Sequence, residues 1–346
     1  MALTDAFLIE VIGGNVSNNA STVNGTSDPT ANWTKLSSVS VAIMASSFFS
    51  EILVLLTFLR HESLRTAFNI YLICLLVFDL ANTCAFLPIQ IVSDLYSSWW
   101  MGPGLCNLYI YEMWVLQAGM CNFHLLFTLN RIWAVTFPIS YRTRHSKRVA
   151  VLSALAMLAY VHCLVLPGVI LDALYYREPI EADGCLLNTA AQPIWSMAIQ
   201  IVVFDIPMVI IILAYPIICY RTVGLQGAAR GRVRKLRVAN LSTNSGTVSM
   251  AGAVVGLKMT LRQRLRRMRK GRGPAFIVLT LMTLCALICY VPNQVYFTYV
   301  IFFGDDWPDL LRVGNILFAL AGVADPLFLV LSLNDLRKKL TKMCRC

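Results

Sequence analysis

Seven apolar segments dominate the sequence, and each is long enough to cross a lipid bilayer as an α-helix. They lie at about residues 36–60, 67–94, 104–136, 148–172, 193–220, 273–303 and 309–332. A transmembrane helix needs about 20 mainly apolar residues to cross a hydrocarbon core of about 30 Å. The chain is 14% charged, whereas a soluble domain carries about 25% charged residues. The sequence therefore predicts an all-α integral membrane protein with a seven-transmembrane helix bundle over residues 36–333.

The basic residues lie almost entirely on one side of this predicted bundle. Counting Arg131, 26 of the 29 Lys and Arg residues fall at the inner end of the third segment, in alternate loops or in the C-terminal tail. Residues 221–272 contain fourteen of them and no acidic residue. Because cytoplasmic loops are enriched in Lys and Arg, this pattern predicts an extracellular N-terminus and a cytoplasmic C-terminus at the plasma membrane. It explains the net charge of +11 without a nucleic-acid partner.

The regions outside the spans carry candidate modification sites. Residues 1–35 are polar and contain four N-x-S/T sequons, which predict an extracellular glycosylated tail: Asn15, Asn19, Asn24 and Asn32. An unmodified polar tail is the alternative. The basic third cytoplasmic loop, 221–272, suits anionic lipid or a partner protein. Residues 334–346 predict a short amphipathic eighth helix and tail, in which Cys344 and Cys346 are either palmitoylated or free thiols.

Five short motifs occur in order along the apolar segments. They are LRTAFNIYLICLLVFDL ending near Asp79, Asn130-Arg131-Ile132, Phe204-x-x-Pro207 followed by Tyr215, Cys289-Tyr290-Val291-Pro292, and Asp325-Pro326-Leu327-Phe328-Leu329. Over residues 36–343 the chain resembles the rhodopsin-like (class A) G-protein-coupled receptors. The resemblance implies a non-enzyme receptor whose partners are an extracellular ligand, the lipid membrane and a heterotrimeric G protein. Covalent retinal is excluded, because residues 309–332 contain no Lys for a Schiff base and Ala319 stands in that place.

The resemblance also assigns roles at both ends of the third segment. At the outer end it implies a disulfide between Cys106 and Cys185, the alternative being two free cysteines. At the inner end it implies that Asn130, Arg131 and Tyr215 take part in G-protein coupling. The family usually has an acid where Asn130 stands, and that acid restrains the following arginine. A neutral amide cannot neutralise it, so we expect raised basal activity.

The expected ligand pocket lies between the outer halves of the third, fifth, sixth and seventh segments. Its candidate residues are Met113, Gln117, Asp205, Tyr290, Asn293, Gln294, Phe297 and Asn315. Amine receptors of the family carry an Asp where Met113 stands, which favours a peptide or a non-amine small molecule. Glu112 lies one residue earlier but faces about 100° away on a helix, so it is a poor substitute for that Asp. Asp205 is either a partner for a basic ligand group or a polar contact between helices.

Three acids lie near the middle of the first, second and seventh segments, at Glu51, Asp79 and Asp325. The family fold brings these positions together, and we assign His124 of the third segment to the same ion or proton site. Charged groups at this depth are costly unless paired, hydrated or neutralised. The cluster therefore holds Na⁺ near Asp79 and Asp325, or retains protons, or only packs the bundle as neutral acids. No cofactor is expected otherwise. A proton- or cation-coupled transporter is the alternative function.

Overall fold

The structure is a computed structural model that describes residues 31–96, 98–180, 184–218, 220–221, 280–304 and 307–343. Within these ranges the regular secondary structure is helical, without a β-strand. The sequons at Asn15, Asn19 and Asn24, most of the basic loop 221–272, and the candidate lipid sites Cys344 and Cys346 lie outside them. Asn32 is described: it is exposed, and its backbone N–H donates to Leu95 O at 2.8 Å.

The described helices, numbered along the chain, agree with the predicted segments to within a few residues. They are α1 (Lys35–Arg60), α2 (Ala67–Leu95), α3 (102–136), α4 (Pro138–Arg144), α5 (Lys147–Tyr176), α6 (Pro193–Ile218), α7 (Thr280–Phe303), α8 (Pro308–Ser332) and α9 (Asn334–Met343). A single 3₁₀ turn, Glu62–Leu64, joins α1 to α2. The predicted start of the sixth segment, 273–279, lies outside the described residues. Among the ends that are described, the largest difference is at the end of α5, which a π-helical turn, Asp172–Tyr176, extends beyond the predicted segment.

Polar caps and prolines set where these helices begin. The side chains of Thr34, Thr66 and Ser146 each accept a hydrogen bond from the backbone N–H three residues later, which satisfies a donor left free in the first turn. Proline occupies the first turn of α4, α6 and α8, where its missing N–H costs nothing. Gly304 ends α7 with φ +76°, the left-handed conformation that a residue with a Cβ rarely adopts.

Six of the described helices are long and apolar enough to cross a membrane: α1, α2, α5, α6, α7 and α8. The seventh is α3, which is less apolar because it buries polar side chains inside the bundle, among them Gln117, Asn122, His124 and Asn130. At about 1.5 Å per residue it extends over roughly 50 Å, which is more than the bilayer core. The predicted seven-transmembrane bundle is thereby confirmed.

The helices pack around α3. It contacts α2, α5, α6 and the loop helix α4, while α8 packs against α1, α2 and α7. The short C-terminal helix α9 packs against α1 and α8. Its Leu336 is completely buried, whereas most of its other side chains are exposed or half-buried. This leaves α9 as the short amphipathic element predicted from the sequence.

Five spans contain a π-helical turn, and three of these turns lie beside the predicted pocket: Glu112–Leu116 in α3, Gln200–Asp205 in α6 and Ala286–Tyr290 in α7. A π-turn inserts one residue into the α-helical repeat and so rotates the side chains on either side of it, and such turns are frequent at functional sites. The local backbone therefore determines which side chains of these three helices face inwards.

Candidate functional site

A disulfide joins the outer end of α3 to the loop that follows α5. Cys106 and Cys185 are bonded, with their Cα atoms 5.5 Å apart, which confirms the pairing that the resemblance implied. Cys106 is fully buried and Cys185 is nearly so. The bridge ties this loop to the first turns of α3.

A buried ion pair ties the same loop to the C-terminal end of α5. Asp172, at the C-terminal end of α5, is completely buried, and its Oδ2 lies 2.6 Å from Nη2 of Arg177. The other carboxylate oxygen of Asp172 accepts a hydrogen bond from the backbone N–H of Asn188 at 2.9 Å. Arg177 Nη1 also donates to Asn107 Oδ1 at 2.6 Å, so this guanidinium joins α5, the loop and α3. Sequence reasoning missed this pair.

A small cavity lies between α3, α6 and α7. Its lining residues are Met113, Trp114, Gln117, Gln200, Phe204, Gln294 and Phe297. Its volume is about 10 Å³, which is room for about one water molecule. The cavity is therefore small in this structure.

The cavity contains half of the predicted ligand residues and three that were not predicted. Met113, Gln117, Gln294 and Phe297 line it, whereas Asp205, Tyr290, Asn293 and Asn315 do not. The residues that were missed are Trp114, Gln200 and Phe204. All three lie in the π-turns Glu112–Leu116 and Gln200–Asp205, where the α-helical repeat does not predict which side chains face inwards.

Asp205 is part of a polar network that joins α6 to α7. Its Oδ1 accepts hydrogen bonds from Thr298 Oγ1 at 2.9 Å and from Gln200 Nε2 at 3.1 Å. Gln200 Nε2 also lies within hydrogen-bond distance of Thr298 Oγ1, at 3.0 Å, and of Gln294 Oε1, at 3.3 Å. This arrangement corresponds to the alternative in which Asp205 is a contact between helices.

The other predicted pocket residues lie just outside the cavity lining. Asn293 Nδ2 donates to Asn315 Oδ1 at 2.8 Å, which joins α7 to α8. Tyr290 is 1% exposed, and its ring packs edge-on against His124 and Phe318, with centroids 5.1 and 5.2 Å away. Tyr290 therefore contacts His124, which was predicted to lie beside the three membrane acids.

The structure places the three membrane acids and His124 in the same buried region. Glu51, Asp79 and Asp325 are at most 2% exposed, and the three carboxyl groups are close enough to interact electrostatically. His124 Nε2 lies 3.2 Å from Asp325 Oδ2, and Thr83 Oγ1 donates to Glu51 Oε1 at 3.1 Å. We call Glu51, Asp79, Asp325 and His124 the acid cluster.

Several oxygens of the acid cluster have no hydrogen-bond partner among the described residues. They are Glu51 Oε2, Asp79 Oδ2 and Asp325 Oδ1, whereas Asp325 Oδ2 faces His124 Nε2. Oxygens of this kind suit a hard cation or a retained proton. In the same part of the chain, no three His, Cys, Asp or Glu side chains are arranged to hold a metal ion by themselves. A cation here would need further oxygen ligands.

At the inner end of α3, Arg131 lies against an aromatic ring. Its guanidinium carbon is 3.1 Å from the centroid of the Phe68 ring on α2 and 5.7 Å from that of Phe127. Asn130 is buried, and its amide nitrogen and oxygen have no hydrogen-bond partner in the described ranges. Tyr215 lies on α6, and no hydrogen bond within those ranges joins it to Arg131.

Four side chains beside Arg131 form an aromatic cluster that the sequence did not suggest. The rings of Tyr141 and His145 stack with centroids 4.4 Å apart, and Trp133 packs edge-on against both. Tyr71 Oη lies 3.3 Å from His145 Nε2, which ties the loop to α2. Burial, and then the nearby charge of Arg131, lower the pKa of His145 below its usual value.

Sequence comparison relates this chain to a known family. The family model described as "7 transmembrane receptor (rhodopsin family)" matches residues 50–328. The alpha-2B adrenergic receptor of Equus caballus is 27% identical over 180 residues, which cover 52% of this chain and 46% of that receptor. The alpha-2B adrenergic receptor of Dugong dugon is 25% identical over 254 residues, which cover 69% and 65%. The matches thus span about half to two thirds of the length of these relatives.

Proposed function

Because the chain belongs to the rhodopsin family of seven-transmembrane receptors, we propose that it transmits an extracellular ligand signal to a heterotrimeric G protein. The observation that carries this proposal is the continuity of α3. One helix lines the outer cavity with Met113 and Gln117 and presents Arg131 at its other end. A displacement of α3 by a ligand would therefore also move Arg131 at the cytoplasmic end.

The proposed orientation places the N-terminus outside the cell and the C-terminus in the cytoplasm. The disulfide at the outer end of α3 supports it, because disulfides persist in oxidising compartments. The exposed Asn32 sequon would then be glycosylated. Removing N-glycans enzymatically from receptor at the cell surface should increase its electrophoretic mobility, and replacing Asn32 with Gln should reduce that shift.

For the ligand, we propose a peptide or a non-amine small molecule. The described lining contains no carboxylate that could pair with an ammonium group, and Met113 stands where amine receptors have an acid. Its polar groups are three glutamine amides, from Gln117, Gln200 and Gln294, and the indole N–H of Trp114, all of them neutral. Because the cavity admits about one water molecule, a larger ligand requires the lining side chains or the helices to move.

The acid cluster would then act as a site for protons or a cation, with Na⁺ near Asp79 and Asp325 as one candidate. Three neighbouring buried carboxylates cannot all ionise without positive charge, and His124 supplies at most one. We expect G-protein activation to depend on pH or Na⁺, and this dependence to be lost when Asp79 and Asp325 are both replaced with Asn. Equal dependence in both proteins would contradict an ion or proton role.

The coupling itself is tested with purified receptor in lipid nanodiscs and G proteins of each class. Nucleotide exchange is measured without ligand and then with a ligand library. Wild-type receptor should accelerate exchange without ligand, because Asn130 does not neutralise Arg131. Asn130→Asp should lower this basal rate, since it restores a charged partner. A receptor that stays silent under all these conditions would contradict the proposal.

A proton- or cation-coupled transporter is the second candidate, and the acid cluster is the observation that favours it, since intramembrane acids often mark ion pathways. It is tested by ion flux into sealed vesicles containing the protein. Flux that is lost when Asp79 is replaced with Asn, in a protein without exchange activity, would favour the transporter.

A further inference from the structure

Arg131 has no acidic partner where one would normally be sought. The preceding residue is Asn130, and residues 221–272 contain no Asp or Glu. The ion pairs within the described part of the chain do not include Arg131. Its Nε is buried without a hydrogen-bond partner in the same part of the chain. The position of this guanidinium must therefore come from another kind of contact.

The guanidinium lies over the face of Phe68. The Arg131 guanidinium carbon is 3.1 Å from the Phe68 centroid, well within the roughly 6 Å over which a ring attracts a cation. Phe127 is farther from the charge, at 5.7 Å, but its ring packs against Phe68 with centroids 5.3 Å apart. Phe68 therefore contacts the charge directly, and Phe127 supports the ring.

The backbone around Phe68 is held firmly. Phe68 lies in the first turn of α2, where Thr66 Oγ1 accepts a hydrogen bond from the backbone N–H of Asn69. Asn69 Nδ2 donates in turn to Leu64 O at 2.6 Å, and this amide is buried. Because these bonds order the turn on both sides of Phe68, its ring is presented to Arg131 by a rigid element.

We propose that Phe68 is a positioning residue for Arg131, whose ring holds the guanidinium against α2 until a G protein binds. This inference rests on the proposed coupling function. A ring face attracts a cation less strongly than a buried carboxylate would, so the restraint is weaker than an ion pair. This agrees with the raised basal activity expected from Asn130.

The first test compares basal nucleotide exchange in nanodiscs at equal amounts of folded receptor. Phe68→Leu keeps an apolar side chain but removes the ring, and we expect it to raise basal exchange about three- to tenfold. Phe68→Tyr keeps the ring and should stay near the wild-type rate. Phe127→Leu is the matched control, because it removes a ring that is farther from the charge, and its effect should be smaller. Equal rates in Phe68→Leu and Phe68→Tyr would overturn the proposal.

The second test does not depend on coupling. Thermal unfolding midpoints are measured for Phe68→Leu, Arg131→Met and the double variant. If the ring and the cation interact, the double variant should lose less than the sum of the two single losses. Additive losses would overturn the inference even if the receptor couples. Non-additive losses without exchange by any variant would instead contradict the proposed function and leave the contact as a stabilising one.

Discussion

Replacing Arg177 with Gln removes the cation that faces the fully buried carboxylate of Asp172. In the wild-type protein these side chains are 9% and 0% exposed, and their charged atoms are 2.6 Å apart. Removal of one partner from such a pair costs about 3–5 kcal/mol, because the remaining charge stays buried without compensation. The hydrogen bond from the Asn188 N–H to Asp172 remains and offsets a part of this cost. We therefore expect a loss near the lower end, about 3 kcal/mol.

The loss is measured as the change in the free energy of unfolding, from denaturant titrations in mixed micelles followed by tryptophan fluorescence. Arg65→Gln is the matched control, since Arg65 pairs with Glu62 at 3.3 Å while both side chains are exposed, at 40% and 90%. An exposed pair of this kind contributes about 0–1 kcal/mol. The two variants make the same chemical change, so the difference between them reports the effect of burial together with the hydrogen bond from Arg177 to Asn107.

A double variant separates the lost charge pair from lost packing. Asp172→Asn together with Arg177→Gln leaves no uncompensated charge, and the Asn side-chain oxygen can still accept from the Asn188 N–H. This variant should therefore be more stable than Arg177→Gln alone. If Arg177→Gln costs no more than Arg65→Gln, or if the double variant is the least stable of the set, the reasoning is wrong.

Two further predictions concern other parts of the bundle. Because burial and Arg131 lower the pKa of His145, the unfolded chain binds more protons, and stability should fall as the pH drops through about 6.5 and below. In His145→Gln the unfolding midpoint should depend less on pH across this range, and an unchanged dependence would contradict the assignment. Gly119→Ala places a methyl group against the Phe78 ring and should cost about 1–3 kcal/mol, whereas Gly104→Ala meets nothing within 4 Å and should be nearly neutral. Equal unfolding free energies for the two alanine variants would refute the packing argument.

Local signals in the sequence were enough to locate the helices. Apolar length defined the spans, since a bilayer requires about 20 apolar residues for each crossing. Thr34, Thr66 and Ser146 then mark where three helices begin, because a cap acts on the next three residues of the chain. The resemblance to a family added the pairing of Cys106 with Cys185, which the structure confirmed.

The pocket could be predicted only in part. Met113 and Gln117 were predicted from the resemblance, since the outer half of the third segment is expected to line the pocket, and both line the cavity. Gln200 and Phe204 were missed because a π-turn rotates this part of α6, and a single sequence does not reveal such a turn. For Asp205, only the packing of α6 on α7 reveals the hydrogen bond from Thr298.

The seven membrane helices could be predicted from the sequence, because span length and charge asymmetry are properties of contiguous residues. The sequence also shows that Arg131 lacks an acidic neighbour, since Asn130 precedes it. The contact that replaces this acid depends on the tertiary structure. Phe68 lies 63 residues earlier in the chain, and its ring meets the guanidinium only because α2 packs against α3. Contacts of this kind depend on the relative placement of whole helices, which no local pattern of residues specifies.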